Sequence, residues 1–349
     1  MHKRKLLFVS FPIDFGSKTY EQRLIGALQG HLDLKVYRFV PNRGEVFLSL
    51  REITLNKILD TFSLWKAVYT ARKEGRKVLF QGISPALFAY PATFFCDSYI
   101  VLDWTRKLYE PIWDILPSPP WLTWLHRKVL QSQTYIFGLT DAVVAGIIQD
   151  YKIPKHQLKR AKVPFSIDLE VFTPSPNRED DEVRILFVGG DLYRKGGDIL
   201  LRWFKENGHR YPNLRLTLVT KSQVEAHLHV IIQNDVYYNQ PQHIALFKNH
   251  DIFVLPTKCD AYPSVLGEAA CAGLALLTTQ QALGAPEIIT DGINGFICHS
   301  QEALLKQLHI LIQDKALIES MKRESRQFME QEFSSEQVRH QIINYMFED

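Results

Sequence analysis

The sequence predicts an α/β fold made of two doubly wound, Rossmann-like domains, and three observations lead to this class. The chain has 349 residues, which is more than one typical domain contains. Short apolar runs of strand length alternate with helical patterns, as they do in a doubly wound sheet. A proline-containing, acidic stretch separates two such series. We therefore expect an N-terminal domain over residues 1–165, a linker over 166–182, a C-terminal domain over 183–332 and a final helix over 333–349.

The first domain is predicted to begin with a buried strand, because Leu6–Ser10 is a short and almost continuous apolar run. A loop around Gly16 and a helix near Thr19–Leu32 follow. A single glycine in this place is equally typical of a plain turn. The remaining strands of this domain are predicted at Leu34–Phe39, Lys77–Gln81, Ser98–Leu102 and Ala142–Ala145.

The second domain is predicted from another series of apolar runs. The tail Phe333–Phe347 shows an amphipathic helical pattern, and we expect this helix to begin at Ser334 or Ser335. The strands of this domain are predicted at Arg184–Val188, Leu214–Val219, Asp235–Tyr238, Asp251–Leu255 and Ala275–Thr278.

The composition is ordinary for a soluble globular protein, with 46% apolar and 23% charged residues. The charge is unevenly distributed, since the first 175 residues carry +9 and the rest carry −6. A basic first half indicates an anionic partner, such as a phospholipid surface, an anionic acceptor or nucleic acid. The alternative is a solvated surface whose asymmetry arises by chance.

Cysteine usage and hydropathy indicate the compartment. The four cysteines lack the spacing of metal ligands, which favours reduced thiols in a cytosolic protein. The start of the chain runs directly into the first predicted strand, so we expect no signal peptide. The longest apolar region, Ile83–Leu102, is interrupted by Pro85, Pro91 and Asp97, so we expect no membrane-spanning helix.

The most informative segment is residues 252–299, where an apolar strand ends at Pro256 and a short loop leads into a helix of small residues. The loop carries Asp260, and Glu268 lies one turn inside the helix. A helix N-terminus attracts phosphate through its backbone N–H groups and its dipole, and carboxylates accept hydrogen bonds from hydroxyls. A nucleotide sugar has both features, so the pattern favours such a ligand.

A resemblance to a known family begins at residue 260, where the chain reads D-A-Y-P-S-V-L-G-E-A. This resembles the donor-binding signature of retaining glycosyltransferases of the GT-B fold, family 4 type (glycosyltransferase group 1), roughly E-G-F-P-x-V-x-x-E-A. The eight-residue offset between the acids is kept, with Asp260 where glutamate is usual. Pro286-Glu287 and Asp291–Gly295 also match. The resemblance implies two domains that face each other across a cleft, with the last helix crossing back to the first domain.

A second matching segment lies upstream, at Arg184–Phe204. It resembles the family's strand, glycine loop and helix, often written FVGRLxxxKG. Gly189 and Gly190 form the loop, and Lys195 matches the family lysine that contacts the donor diphosphate. Gly190 stands where arginine is usual, and Arg194 is the candidate to supply that charge.

The resemblance implies a role for each of these positions. Glu268 would accept hydrogen bonds from the nucleotide ribose, with charge complementation at the helix start as the alternative. Asp260 would contact the transferred hexose, with loop capping as the alternative. Lys195 and Arg194 would neutralise the departing diphosphate, with solvated helix-start charges as the alternative. The other donor-binding positions are expected at Gly16, Gly189, Gly190, Tyr262, Ser264, Val265 and Leu266.

The acceptor side is predicted from two segments of the first domain. Asp103 follows the strand that ends at Leu102, where many family members carry a catalytic histidine. Catalysis and an ordinary turn or cap are the two interpretations of Asp103. Residues 119–128 combine two tryptophans with basic residues, a pattern typical of a helix on anionic lipid and of a helix packed on its domain.

We therefore expect a retaining, metal-independent glycosyltransferase that moves a hexose-type sugar from a nucleoside diphosphate sugar to an acceptor hydroxyl. The acceptor class stays open among glycans, lipids and small molecules. No cofactor, no metal and no nucleic-acid partner are expected. The location is expected to be cytoplasmic, with peripheral contact at the inner membrane face. The alternative function is a catalytically silent GT-B scaffold that binds a nucleotide sugar or a protein partner.

Overall fold

The computed structural model describes residues 4–12, 15–39, 55–110, 117–160, 169–175, 180–225 and 227–348. The predicted linker, residues 166–182, lies partly outside them. The chain divides into two units, Met1–Ser166 with Glu336–Asp349 and Ile167–Ser335. Each unit contains a sheet of six described strands whose neighbours all pair in parallel. The prediction of an α/β chain with two doubly wound sheets is thus confirmed.

The first unit has the strand order β2-β1-β3-β4-β5-β6. Its described strands are β1 (Lys5–Ser10), β2 (Asp33–Arg38), β3 (Lys77–Gln81), β4 (Ser98–Leu102), β5 (Tyr135–Gly138) and β6 (Leu158–Arg160). Its described helices before the last are α1 (Phe15–Leu28), α2 (Leu55–Lys73), α3 (Ile83–Ala89), α4 (Arg106–Tyr109), α5 (Pro120–Gln131) and α6 (Asp141–Tyr151). All five residues of β4 are buried, because parallel sheets of this kind carry helices on both faces.

Two predictions for the first unit were wrong. Residues 142–145 lie in helix α6, because Thr140 caps that helix by accepting a hydrogen bond from the Val143 amide at 3.1 Å. The buried side chains of Val143, Ile147 and Tyr151 recur at four-residue spacing, which is a helical face. Helix α1 begins at Phe15 rather than near Thr19, so the predicted glycine loop at residue 16 lies in the first helical turn.

The second unit has the strand order β12-β11-β10-β7-β8-β9. Its described strands are β7 (Val183–Val188), β8 (Leu214–Val219), β9 (Val230–Gln233), β10 (Ile252–Leu255), β11 (Ala275–Thr279) and β12 (Gly295–Cys298). Its described helices are α7 (Gly197–Asn207), α8 (Pro241–Lys248), α9 (Ser264–Cys271), α10 (Gln301–Leu311) and α11 (Lys315–Glu332). All four residues of β10 are fully buried at the centre of this sheet.

The strand predicted at Asp235–Tyr238 was wrong, since β9 ends at Gln233. The side-chain amide of Asn234 donates hydrogen bonds to the carbonyl oxygens of Thr220 at 2.8 Å and Ser222 at 3.0 Å. These bonds hold a bend directly after the strand. The apolar character of the residues that follow therefore does not extend the sheet.

The strand order of the second unit creates a topological switch point between β7 and β10. The chain runs from β7 outward through β8 and β9, then returns to β10 on the other side of β7. The loops after β7 and β10 therefore leave the same edge of the sheet in opposite directions. Open α/β sheets bind ligands in the crevice that such a divergence leaves.

The last helix, α12 (Ser335–Phe347), packs on the first unit. Val338, Ile342 and Met346 are buried at four-residue spacing. The hydroxyl of Tyr99 in β4 donates to the Met346 carbonyl at 3.2 Å. Across the described ranges, no helix combines the length and the apolar character that crossing a bilayer requires.

Candidate functional site

Two loops meet at the switch point of the second unit: residues 189–196 after β7 and residues 256–263 after β10. Gly196 has a φ of +80°, a left-handed conformation that glycine adopts without strain. A Cβ at this position would collide with the carbonyl of Pro256. The Lys258 amide also donates to the Arg194 carbonyl at 2.9 Å. Gly196 thus permits the close approach of the two loops.

Lys195 and Asp260 form an ion pair between these loops, in which the Lys195 Nζ donates to the Asp260 Oδ2. Only 15% of the lysine side chain and 11% of the aspartate side chain are exposed. Gly189 makes room for the lysine, since a Cβ there would lie 2.9 Å from the Lys195 Cβ. The structure therefore brings together three of the sequence-predicted donor residues.

The pKa of the Lys195 ammonium is lowered to about 7, mainly by burial and in addition by the neighbouring charge of Arg194. The charges of Cys259 and Asp191 act in the opposite direction, because a nearby negative charge favours the ammonium. An additional anion beside Lys195 would therefore raise the pKa of its ammonium and favour the charged form.

Arg194 lies on the same pair of loops. Its Nη1 donates to the Cys259 carbonyl at 2.9 Å, and its Nε lies 3.6 Å from the Asp191 Oδ2. About a third of its side chain remains exposed. A Cβ on Gly190 would meet no atom within 4 Å, so crowding does not explain why glycine replaces the usual arginine there.

The N-terminus of α9 follows the second loop. Pro263 is the capping residue and provides no side-chain hydrogen bond, while the Leu266 amide donates to the Pro263 carbonyl at 2.9 Å. Ser264 and Val265 form the first turn with Leu266. The Tyr262 ring packs over Gly284, where a Cβ would come within 2.6 Å of the ring. The tyrosine therefore fixes the conformation of the loop that precedes α9.

Glu268 lies in the second turn of α9 and is 2% exposed. Its Oε2 lies 3.4 Å from the Nε2 of His243 in α8. Sequence reasoning missed His243. The available signal was weak, because a histidine in phase with the buried Leu246 and Phe247 resembles an ordinary core position.

The predicted residues of the first unit lie at the carboxyl ends of its strands. Asp103 follows β4 and is partly exposed. Burial raises the pKa of the Tyr20 hydroxyl well above its usual value, and the charge of Asp103 adds to this increase. Tyr20, in α1, was not predicted. Gly16 belongs to the first turn of the same helix.

No cluster of three or more histidine, cysteine, aspartate or glutamate residues suited to a metal ion occurs in the described part of the chain. The charged groups gathered at the switch point are instead the lysine, arginine and carboxylates described above.

The first comparison with known proteins is by sequence. Residues 170–328 match the family model described as glycosyl transferases group 1. A curated relative from Haemophilus influenzae, named an uncharacterized glycosyltransferase, is 26% identical over 163 residues, which cover 44% of this chain and 46% of that protein. The matches to two further curated relatives cover 29% and 60% of their lengths. The chain thus matches less than two thirds of each of these relatives.

Solved structures resemble the whole chain in fold. A glycosyltransferase from Rickettsia africae has a TM-score of 0.75 at 14% identity, covering 100% of this chain and 99% of that one. The Anabaena protein HepE, solved in complex with UDP and glucose, has a TM-score of 0.70 at 14% identity, covering 98% and 99%. The predicted GT-B fold class is confirmed. The resemblance to glycosyltransferase group 1 is confirmed for residues 170–328, which match that family model.

Proposed function

We propose that the protein is a retaining, metal-independent glycosyltransferase of family 4 type, which transfers a hexose-type sugar from a nucleoside diphosphate sugar to an acceptor hydroxyl. The Lys195–Asp260 pair carries the proposal, because it places a buried cation and an acid beside the N-terminus of α9 at the switch point. The match of this segment to the group 1 family model supports the proposal. So does the UDP and glucose bound by HepE, which shares the fold.

We assign one role to each charged group at the switch point. Lys195 and Arg194 bind the diphosphate and stabilise the negative charge that develops on it as the glycosidic bond breaks. Backbone amides of the first turn of α9, at Ser264 and Val265, assist at the phosphate or sugar, whereas the Leu266 amide is already bonded to the Pro263 carbonyl. Asp260 accepts hydrogen bonds from the hexose, and Glu268 accepts them from the ribose.

We propose that the sugar is transferred with retention by front-face substitution, with the departing phosphate oxygen as the base for the acceptor hydroxyl. Lys195 supplies positive charge at the leaving group, which is the task of a metal ion in other transferases. Asp103, at the end of β4, is the proposed catalytic group of the acceptor domain. The acceptor is a glycan, a lipid or a small molecule.

We further propose that the first unit contacts an anionic membrane from the cytoplasmic side. Helix α5 buries Leu122, Val129 and Leu130 against its own unit. On the same helix, Trp121 is 46% and Trp124 is 57% exposed. The Lys128 Nζ lies 5.9 Å from the centroid of the Trp124 ring. Exposed tryptophans beside cations, on the basic half of the chain, suit an interface with anionic lipid.

The experiment that tests the function is an assay of nucleotide release from uridine, guanosine and adenosine diphosphate sugars, with Lys195→Ala and Glu268→Ala as variants. We expect one donor to be turned over, and each variant to lose at least about tenfold in kcat/KM, about 1.4 kcal/mol of barrier. Turnover of no donor by the wild-type protein would contradict the proposal. Tight donor binding without turnover would indicate the silent scaffold instead.

A further inference from the structure

We propose that His243 is a positioning residue for Glu268, holding its carboxylate in the orientation that accepts hydrogen bonds from the donor ribose. The inference rests on the proposed function, because it deepens the role given there to Glu268. His243 itself would touch no substrate. It would act through the carboxylate that does.

The contact is direct and is screened from solvent. The Nε2 of His243 lies 3.4 Å from the Oε2 of Glu268, and the two side chains are 6% and 2% exposed. An imidazole that carries its proton on Nε2 places the positive end of that N–H dipole near the carboxylate, in an electrostatic contact without the geometry of a hydrogen bond. At this burial, water screens such an interaction poorly, so it constrains the carboxylate more than a surface contact would.

The imidazole is itself held in place by aromatic rings. The centroids of Phe172, Tyr238 and Phe247 lie 6.0, 5.6 and 5.1 Å from that of His243, with interplanar angles of 89°, 66° and 65°. Such edge-to-face contacts fix the plane of the ring. Phe172, which precedes the strands of the second unit, is 2% exposed. The enclosure leaves His243 little freedom to turn away from Glu268.

This arrangement matters because affinity for a hydroxyl depends on where the acceptor is held before binding. A side chain that must be ordered on binding costs affinity, whereas a preorganised one does not. The glutamate side chain has several rotatable bonds beyond the backbone of α9. The contact with His243 restricts the direction of the carboxylate. Loss of this contact should weaken recognition of the ribose hydroxyls and leave recognition of the diphosphate intact.

The test compares two ligands on three variants by isothermal titration calorimetry. The ligands are the nucleoside diphosphate that most raises the melting temperature and its 2′,3′-dideoxy analogue, which lacks the ribose hydroxyls. His243→Phe keeps an aromatic ring but removes the N–H, and His243→Gln restores a donor. His309→Phe is the control, because His309 lies on the exposed face of α10 and contacts Tyr211. Melting temperatures of all variants report their folding.

We expect wild-type protein to bind the ribonucleotide at least about tenfold more tightly than the dideoxy analogue, as a site built for hydroxyls does. In His243→Phe this ratio should fall to about threefold or less, with unchanged affinity for the analogue. His243→Gln should recover part of the ratio, and His309→Phe should keep all of it. In turnover, His243→Phe should raise the donor KM and leave kcat within about twofold.

Two results would overturn the inference and leave the proposed function standing: an unchanged ratio in His243→Phe, or an equal loss of affinity for both ligands in a folded His243→Gln. The first would show that the contact does not orient the carboxylate. The second would show that the histidine only supports the fold. Absence of nucleotide binding by the wild-type protein would overturn the proposed function together with the inference.

Discussion

The ammonium of Lys195 donates a hydrogen bond to the carboxylate of Asp260, which joins two residues 65 positions apart in the chain. The bond connects the loop after β7 to the loop after β10. In the proposed reaction, these two side chains bind neighbouring parts of the donor. The pair therefore serves both the stability of the second unit and the chemistry assigned to it.

Breaking this pair from either side should destabilise the protein. Lys195→Met and Asp260→Asn each leave one largely buried group without its partner, which should lower the free energy of unfolding by about 1–3 kcal/mol. Removing both charges in Lys195→Met/Asp260→Asn should cost less than the sum of the single losses, because neither charge is then left alone. Urea unfolding at pH 6, where Lys195 is charged, measures all four proteins. Additive losses would show that the two side chains are not coupled.

Activity should depend on pH through Lys195. Because burial lowers the pKa of its ammonium to about 7, the positive charge assigned to the donor diphosphate is lost above this pH in the free enzyme. We expect kcat/KM to fall as pH rises above about 7, and Lys195→Arg to remove this fall because arginine stays charged. A pH profile that is the same in both proteins would contradict the assignment.

The same lowered pKa predicts the pH dependence of stability. Between about 7 and 10.5, the usual value for lysine, the unfolded chain binds a proton that the folded protein has released. The contribution of Lys195 to the free energy of unfolding therefore increases with pH across this window. Between pH 7 and pH 9, the free energy of unfolding should change more favourably in wild type than in Lys195→Met, as measured by unfolding curves at both pH values. A less favourable change in wild type would mean that the contact with Asp260 outweighs burial.

The two loop glycines should respond differently to substitution. Gly196→Ala should lower the free energy of unfolding by at least about 1–2 kcal/mol, because its backbone is left-handed and the new Cβ would collide with Pro256. Gly190→Ala is the matched control, since its Cβ would enter open space and should change stability by less than about 0.5 kcal/mol. Thermal and urea unfolding measure both. Equal effects would contradict the close approach of the loops.

Membrane contact should depend on the two exposed tryptophans of α5. The wild-type protein should sediment with phosphatidylglycerol vesicles at low salt, and Trp121→Ala/Trp124→Ala should sediment less, because both rings and their lipid contact are lost. Binding should weaken in high salt. Tyr193→Ala, which removes a 65% exposed ring from the second unit, is the control and should behave as wild type. Equal sedimentation of all three proteins would exclude α5 as the contact.

The sequence predicts much of the fold because strands buried on both faces are continuous apolar runs. The bounds of the strands at Lys77–Gln81, Ser98–Leu102 and Leu214–Val219 were predicted correctly. At Ala142–Ala145 the same property gave a wrong strand prediction, because a short apolar run fits a buried strand and a buried helix equally well. The cap at Thr140 favours the helix that the structure shows.

The candidate site could be predicted only as far as local patterns reach. The segments that carry the loop glycines, Lys195, Asp260 and Glu268 have the residue order of a family signature. The bond between Lys195 and Asp260 could not be predicted, because it depends on the strand order that places β7 beside β10. His243 could not be predicted either, because its partner Glu268 is on another helix and its own pattern is that of a core residue.

The most direct test of the central claim is a crystal structure with a bound nucleoside diphosphate hexose. We expect the diphosphate within about 3 Å of the Lys195 Nζ, with Glu268 at hydrogen-bond distance from the ribose hydroxyls and Asp260 facing the hexose. A donor bound away from the loops after β7 and β10, or bound there with Lys195 and Glu268 directed elsewhere, would contradict it.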